Sequence, residues 1–368
     1  AGYAALFAAV LFSMIFSNLG QGAAQGLIPD LVPESQRGVY SGLKALFELP
    51  IPLVFVSFFV SKMLRTGNYW AAILTVIAAL FVSTLLAMFV RETPSEKIPP
   101  PLDWGAIGRL VGMTALFTGV ILLAGEAVKL LLPLAAALPG TPRLALTGIL
   151  GTAGMLLAVV MGVVFSMRVS LGAEATKNPS FTWWVVNRLA FLVGANNLAS
   201  FLLYFIQERF PELKGNAAAG PAASLVLMVG VAILAAALPG GWLTDKVGTK
   251  PLIALSGILA ALGTAVVVTS SSMSGLYLGG VLVGVGAGIF FSANWALGTS
   301  LVPPGQAGRY LGISNLAGAG AGAIGAYIGG PIGDNAGFVV LMGIYGLLFL
   351  FSVLALGRIK TPQPAGRL

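Results

Sequence analysis

The chain has 368 residues, of which 57% are hydrophobic and only 9% charged, and its mean hydropathy is +0.95. One water-soluble core cannot bury so much apolar surface, so the composition predicts a polytopic membrane protein. We ascribe the net charge of +8 to basic cytoplasmic loops rather than to nucleic-acid binding. The sequence contains no Cys and no His, which excludes disulfides, thiol chemistry and the usual zinc and haem ligand sets, and no cofactor is expected.

Apolar runs of about 20 residues follow one another along the chain, and each is long enough to cross the roughly 30 Å hydrocarbon core of a bilayer as a helix. They predict an all-α fold with eleven transmembrane helices. If the loop at 29–37 faces the cytoplasm, fourteen of the 20 Lys and Arg residues fall on or near that side, which favours a cytoplasmic C-terminus. The predicted spans are 4–27, 38–64, 69–90, 106–134, 144–167, 181–207, 222–243, 251–270, 275–296, 310–329 and 338–356.

A segment at 29–46, PDLVPESQRGVYSGLKAL, returns at 299–316 as TSLVPPGQAGRYLGISNL with eight identical positions. Both copies lie between two apolar runs and they run in the same direction, which is typical of a transporter built from two similar halves. The alternative is that membrane turns share Pro, Gly and Arg by composition alone. Eight matches in register without a gap favour the duplication.

The spacing of the two copies predicts the domain organisation. Their offset of 270 residues (299 minus 29) is longer than six helices with short loops require, and the Pro-rich, charged segment RETPSEKIPPPLDW begins the excess. We therefore predict the remainder of an N-terminal bundle, helices four to six, at 1–90, a linker with an inserted helical hairpin at 91–180, and a six-helix C-terminal bundle at 181–368. Because far fewer transmembrane residues precede the first copy than the second, about three N-terminal helices are expected to be missing.

The segment at 241–250, GWLTDKVGTK, lies between two predicted spans on the predicted cytoplasmic side. Its glycines permit a tight turn, its aspartate can cap a helix N-terminus, and its lysines suit an interface with anionic lipid. The segment resembles the cytoplasmic signature of the major facilitator superfamily, G-x-x-x-D-[RK]-x-G-[RK]-[RK], with Thr249 in place of one basic residue. The matching residues are Gly241, Asp245, Lys246, Gly248 and Lys250.

This resemblance implies a twelve-helix carrier in which two helical bundles rock about a central site, with the repeated loop joining helices four and five and helices ten and eleven. In that family the aspartate contacts the other half when the cytoplasmic side is closed. We therefore expect Asp245 near the helix that starts at Gly38, and we assign Arg37 and Arg309 of the repeated loop to the same gating motif. The alternative is that Asp245 and its basic neighbours only anchor the topology.

Polar side chains deep in the predicted spans are the candidate solute-binding residues, because they are costly in hydrocarbon and tend to face a cavity. Amides with aromatic rings suit a neutral, hydroxyl-rich solute such as a sugar. The alternative is hydrogen bonding between packed helices, and of the adjacent Asn196 and Asn197 at least one is expected to point into the bundle. The candidates are Asn18, Gln21, Gln25, Arg188, Asn196, Asn197, Tyr204, Asn294, Trp295 and Asn315.

Charged residues are sparse within the spans. Glu48 is the candidate proton carrier, because it precedes a helix-perturbing LPIP sequence, although it can also pair with Lys44. Glu126 and Lys129 lie three apart in the predicted hairpin and are interpreted as a structural pair. Glycines four apart are expected to let helices approach closely. These pairs are Gly275/Gly279, Gly280/Gly284, Gly284/Gly288, Gly318/Gly322, Gly325/Gly329 and Gly329/Gly333.

A secondary transporter is the leading functional prediction. A membrane-embedded enzyme is disfavoured because His and Cys are absent and buried carboxylates are few. A nucleotide-driven pump is disfavoured because there is no phosphate-binding loop. A non-transporting sensor is a remote alternative. The glycine-proline motif of drug/proton antiporters is absent at 46–52 and only partly echoed at 329–333, whereas the repeated loop and the FTWWVVNR segment are similar to sucrose-type and glycoside/cation symporters.

We therefore expect proton- or cation-coupled uptake of a sugar or glycoside, with drug or metabolite efflux by proton antiport as the alternative. The expected partners are the small-molecule solute, the coupling proton or cation and the lipid bilayer, without nucleic acid. The carrier is expected to be a monomer in the plasma membrane, specifically a bacterial inner membrane, and not an enzyme.

Overall fold

The computed structural model describes residues 50–60, 62–63, 66–90, 104–303 and 307–360, with residues 2, 5, 6, 8, 9, 12, 13, 16, 17, 20 and 47. Every regular element in this part of the chain is helical, which confirms the predicted all-α class. The chain divides into two compact units, Ala1–Ile98 and Pro99–Leu368. In the first unit, α1 (Pro50–Phe55) continues into a π-helical turn (Val56–Val60), and α2 follows at Tyr69–Ala87.

The second unit begins with two long helices and continues with a bundle. Short 3-10 helices lie at Gly215–Ala218 and Leu356–Arg358. The α-helices of this unit are α3 (Trp104–Ala136), α4 (Gly140–Leu171), α5 (Glu174–Lys177), α6 (Pro179–Arg209), α7 (Ala219–Val247), α8 (Thr249–Thr269), α9 (Met273–Ser300), α10 (Ala307–Ala336) and α11 (Phe338–Ala355).

Within the described residues, eight helices are long and apolar enough to cross a membrane, and α10 adds a further helix of 30 residues. These nine helices match the predicted spans from 69 onward. Six of them extend beyond the predicted limits at both ends; α3 has 33 residues and α6 has 31, more than the hydrocarbon core alone requires. The predicted span 4–27 falls mostly outside the described residues, and the span 38–64 is described mainly at 50–60, as α1 and the π-helical turn.

The second copy of the repeated loop joins α9 to α10 and is held against the start of α6. Asn178 caps α6, because its Oδ1 accepts a hydrogen bond from the Phe181 backbone N–H at 3.2 Å, and its Nδ2 donates to the Leu301 carbonyl at 2.9 Å. The ring of Tyr310 meets that of Phe181 edge to face, with centroids 4.8 Å apart. The repeated tyrosine thus fixes where α10 begins relative to α6.

Glycines on two faces of α9 allow this helix to pack closely against both α7 and α8. A Cβ added at Gly279 would lie 2.6 Å from the Gly263 carbonyl oxygen of α8. On another face of α9, a Cβ at Gly288 would lie 2.5 Å from the Ile233 carbonyl oxygen of α7. No side chain fits at these separations, so the predicted close approach of helices at glycines is confirmed for α9.

The pair Gly318/Gly322 on α10 differs from these. A Cβ at either position would meet nothing within 4 Å. The prediction that this pair brings two helices together is therefore wrong within the described part of the chain. Contacts on this face of α10 lie further along the helix, where a Cβ at Gly329 would lie 2.5 Å from the Tyr345 hydroxyl. Spacing identifies glycines on a common face, but not the level along the helix at which a neighbour approaches.

The helices α3 and α4 occupy the segment for which the repeat offset predicts an inserted hairpin, and they pack on each other and on α6, α10 and α11. At the start of α4, Arg143 donates to the Asn335 carbonyl, and the Thr147 hydroxyl donates to the Asn335 Oδ1 at 3.2 Å. On α3, the absence of a side chain at Gly125 leaves room for the Tyr327 ring of α10. The hairpin thus packs onto helices of the predicted C-terminal bundle.

An aromatic cluster connects α6, α9 and α11 at the centre of the second unit. Phe191 and Phe290 stack with ring centroids 3.6 Å apart and planes 3° from parallel, and Phe349 lies 4.8 Å from Phe191. All three side chains are fully buried. These contacts fix the spacing of α6 and α9, the two helices that carry most of the polar residues described below.

Candidate functional site

Polar side chains form a continuous chain of hydrogen bonds across α6, α9 and α11. Asn187 Nδ2 donates to the Ser352 carbonyl at 2.7 Å, and Asn294 Nδ2 donates to Asn187 Oδ1 at 2.7 Å. Arg188 Nη1 donates to Asn294 Oδ1 at 3.1 Å, and Trp184 Nε1 donates to the Asn294 carbonyl at 2.9 Å. Asn294 is the central member, since its amide donor, amide acceptor and backbone carbonyl are all used.

Asn187 and Asn294 are completely buried. An amide in an apolar interior costs several kcal/mol if it lacks partners, and the hydrocarbon core offers no water to replace them. Because these hydrogen bonds give both amides partners, the network stabilises one relative arrangement of α6, α9 and α11. Such a network is sensitive to the loss of any member.

Arg188 lies within the membrane-spanning part of α6 and beside two tryptophans. It is nine residues from the first residue of α6, or about 14 Å along the helix axis. Its guanidinium carbon lies 5.1 Å from the Trp295 ring centroid and 5.9 Å from the Trp184 ring centroid. Aromatic faces attract a desolvated guanidinium, so the rings and Asn294 together orient a cation that is costly in hydrocarbon.

The adjacent asparagines on α6 point in different directions, which agrees with the expectation that at least one faces the bundle. Asn197 is buried, and its Nδ2 donates to the Val193 carbonyl at 2.9 Å and to the Ala321 carbonyl of α10 at 3.0 Å. A Cβ at Gly325 would overlap this amide, so glycine is needed there. Asn196 is exposed. In this structure Asn197 connects α6 to α10, whereas Asn196 is open to a ligand.

Asn196, Ser200 and Tyr204 recur every four residues and form an exposed polar stripe on α6. The Ser200 hydroxyl donates to the Asn196 carbonyl at 2.9 Å, while the Tyr204 ring stacks on Phe338 with centroids 5.3 Å apart. Of the other candidates, Asn315 is exposed near the start of α10 and Trp295 is partly exposed on α9. Ser200 did not figure among the predicted residues, although its spacing from Asn196 indicates the shared face.

The segment at 241–250 forms the sharp connection between α7 and α8. Gly248 has a φ of +96°, which favours glycine, and Gly241 is partly buried one turn before Asp245. Asp245 is exposed. The Lys246 ammonium lies 3.8 Å from the Trp242 ring centroid, and Lys250 donates to the Ile359 carbonyl. The lysines thus contact this unit itself, while the aspartate remains accessible.

At the C-terminal end of α6, two adjacent residues of opposite charge each bind the end of another helix. Glu208 Oε2 accepts a hydrogen bond at 2.5 Å from the backbone N–H of Phe338, the first residue of α11. Arg209 Nε donates to the Ser270 carbonyl at the end of α8, at 2.9 Å. Each charge is favourable beside the helix end that it meets. Nothing in the sequence pattern indicated this contact.

Several predicted site residues lie outside what the structure describes. Arg309 belongs to the first turn of α10, but its side chain also lies outside what the structure describes. The candidate proton carrier and the first-half solute contacts therefore stay predictions. These residues are Asn18, Gln21, Gln25, Arg37 and Glu48.

The Major Facilitator Superfamily profile matches residues 196–367, from the second half of α6 to near the end of the chain. No curated protein and no solved structure matches the chain. The matched region contains the exposed stripe of α6, the turn between α7 and α8, and the second copy of the repeated loop. Together with the membrane-length helices, the match indicates an integral membrane protein whose residues 196–367 are similar to the major facilitator superfamily of secondary transporters.

Proposed function

We propose that the chain takes up a neutral, hydroxyl-rich solute of the sugar or glycoside class by alternating access, coupled to a proton or another cation. The exposed polar stripe of Asn196, Ser200 and Tyr204 carries this proposal. Polar side chains in the middle of a span are costly against lipid, so they favour a helix face that lines a water-filled cavity. The superfamily match over residues 196–367 supports the transporter class.

The chemistry of the stripe supports a neutral solute. An amide, an aliphatic hydroxyl and a phenol each donate and accept hydrogen bonds, as sugar hydroxyls do. Trp295, partly exposed on α9, offers a ring face for the C–H surface of a sugar. Arg188 is held against this ring and Asn294, and we propose that it adds a fixed donor at one end of the site.

The charge distribution supports an orientation with the turn between α7 and α8, and the C-terminus, in the cytoplasm. Lys246, Lys250 and Arg358 lie at that end of the second unit. Basic residues prefer the cytoplasmic side of a membrane. We propose that the protein acts as a monomer in the plasma membrane, specifically a bacterial inner membrane.

Transport by reconstituted protein tests the proposed solute class. Labelled mono- and disaccharides are offered to proteoliposomes with and without an inward proton gradient. Gradient-driven accumulation is expected, and Asn196→Ala is expected to reduce it about tenfold, because a hydrogen bond to the solute is lost. Asn197→Ala is the comparison: it is expected to lower thermal stability first, since the buried amide connects two helices.

Two outcomes would contradict this assignment. Absence of sugar flux together with gradient-driven movement of lipophilic cations would assign the chain to efflux by antiport. Unchanged sugar uptake in Asn196→Ala would remove the stripe from the solute pathway, even if sugars are transported.

Gating by the turn between α7 and α8 makes a separate prediction. Asp245→Asn is expected to reduce transport several-fold while the amount of inserted protein stays unchanged, because the exposed carboxylate contributes to closing the cytoplasmic side. Asp334→Asn is the matched control, since Asp334 is also exposed but lies near the opposite end of the second unit. Equal transport by both variants would leave Asp245 with a topological role only.

A further inference from the structure

A cavity of about 460 Å³ lies between the inserted hairpin and α10. Its walls are almost entirely apolar, and its volume falls in the range of small-ligand sites. The lining residues are Thr118, Ile121 and Leu122 of α3 with Ala323, Ala326 and Tyr327 of α10. The cavity is therefore built jointly by α10 and α3, the first helix of the predicted hairpin.

Charged groups flank one end of this cavity. The Tyr327 hydroxyl donates to Glu126 Oε1 at 2.5 Å, and Lys129 Nζ donates to the same oxygen at 2.7 Å and lies 4.1 Å from the Tyr327 ring centroid. The side chains of Glu126 and Lys129 are 59% and 37% exposed. Both hydrogen bonds use Oε1, so Oε2 remains an acceptor among the described residues and the ammonium retains further donors.

The depth of these groups matches the geometry of a membrane lipid. The middle of the 33-residue helix α3 lies near residue 120, and about 20 residues centred there cross the hydrocarbon. Ile121 and Leu122 of the cavity wall then lie near the bilayer centre, while Lys129 lies at the edge of the hydrocarbon. On α10, Tyr327 follows Ala323 just as Lys129 follows Leu122 on α3. Both helices therefore place their polar side chains at the same end of the cavity.

We propose that this cleft is a binding site for a phospholipid with a primary-ammonium headgroup, of the phosphatidylethanolamine class. One acyl chain occupies the cavity, the headgroup ammonium donates to Glu126, and the headgroup phosphate accepts from Lys129. A choline headgroup has no N–H to donate to Glu126, and an anionic headgroup without an ammonium is repelled by it. The proposal does not depend on the transported solute.

Native mass spectrometry tests the site. The whole chain is reconstituted in vesicles of phosphatidylethanolamine, phosphatidylcholine and phosphatidylglycerol in equal amounts, extracted in detergent, and its retained lipids are counted. One phosphatidylethanolamine is expected to be retained. Ala323→Phe, which fills the cavity, is expected to reduce its occupancy about tenfold. Ala319→Phe makes the same exchange on an exposed position of α10 outside the cavity lining and is expected to leave occupancy unchanged.

Glu126→Gln decides the headgroup independently of the cavity. Its side chain is mostly exposed, so folding is expected to persist, while the preference for phosphatidylethanolamine over phosphatidylcholine disappears. Three results would overturn the proposal: equal retention of both lipids by the unmodified chain, an unchanged preference in Glu126→Gln, or equal occupancy in Ala323→Phe and Ala319→Phe. Displacement of the lipid by a transported solute would also overturn it, because the cleft would then belong to the solute pathway.

Discussion

Gly263→Ala is expected to lower the melting temperature of the protein by on the order of 5 °C and to reduce the amount of folded protein in the membrane. The added Cβ would lie 2.6 Å from the Gly279 carbonyl oxygen and 2.7 Å from the Val283 backbone nitrogen. Both are main-chain atoms of α9 and cannot move by a change of rotamer, so α8 and α9 must separate. Overpacking of this kind costs about 1–3 kcal/mol.

The measurement is thermal unfolding of the purified protein in detergent, with Gly343→Ala as the matched control. Gly343 lies in α11, and a Cβ there would meet nothing within 4 Å. Gly343→Ala is expected to leave the melting temperature of the protein unchanged or slightly raised, because alanine stabilises a helix by up to about 1 kcal/mol relative to glycine. A similar loss in both variants would show that the close contact of α8 and α9 is not a major source of stability.

The different environments of Gly263 and Gly343 show what the sequence could predict about the fold. Transmembrane helices are predictable because length and apolar composition are sufficient to recognise them, and the spans from 69 onward agree with the structure. Glycine spacing was informative for α9, where Gly279 and Gly288 meet neighbouring backbones. It failed for Gly318, because a glycine has no side chain whose polarity or size indicates what lies opposite.

The polar residues show the corresponding limit for the candidate site. The adjacent asparagines at 196 and 197 made it predictable that one would face the bundle, since neighbouring helical positions point about 100° apart. Which one did so depended on Ala321 and Gly325 of α10, which are distant in sequence. The role of Asn187 could not be predicted from its own span, because its partners Asn294 and Ser352 come from α9 and α11.

Asn294→Leu is expected to reduce the maximal transport rate about tenfold or more, in addition to lowering the melting temperature. Leucine has a similar volume but removes the Asn294 donor to Asn187 Oδ1 and the Asn294 acceptor of Arg188 Nη1. A buried polar group that loses its partner costs about 1–3 kcal/mol. The Trp184 hydrogen bond to the backbone carbonyl at 294 remains possible, so the main consequence for the site is loss of the contact that orients Arg188.

Two comparison variants separate orientation of Arg188 from packing. Asn187→Leu removes the bond to Ser352 and the acceptor of Asn294 Nδ2 but keeps Asn294 Oδ1 for Arg188, so it is expected to lower the melting temperature with a smaller effect on transport. Asn294→Asp keeps an oxygen for Arg188 and is expected to recover part of the transport rate. Initial rates across solute concentrations, measured beside melting curves, distinguish these cases. If Asn294→Leu and Asn187→Leu slow transport equally, and Asn294→Asp recovers nothing, the network only packs the helices, and the orientation of Arg188 does not limit transport.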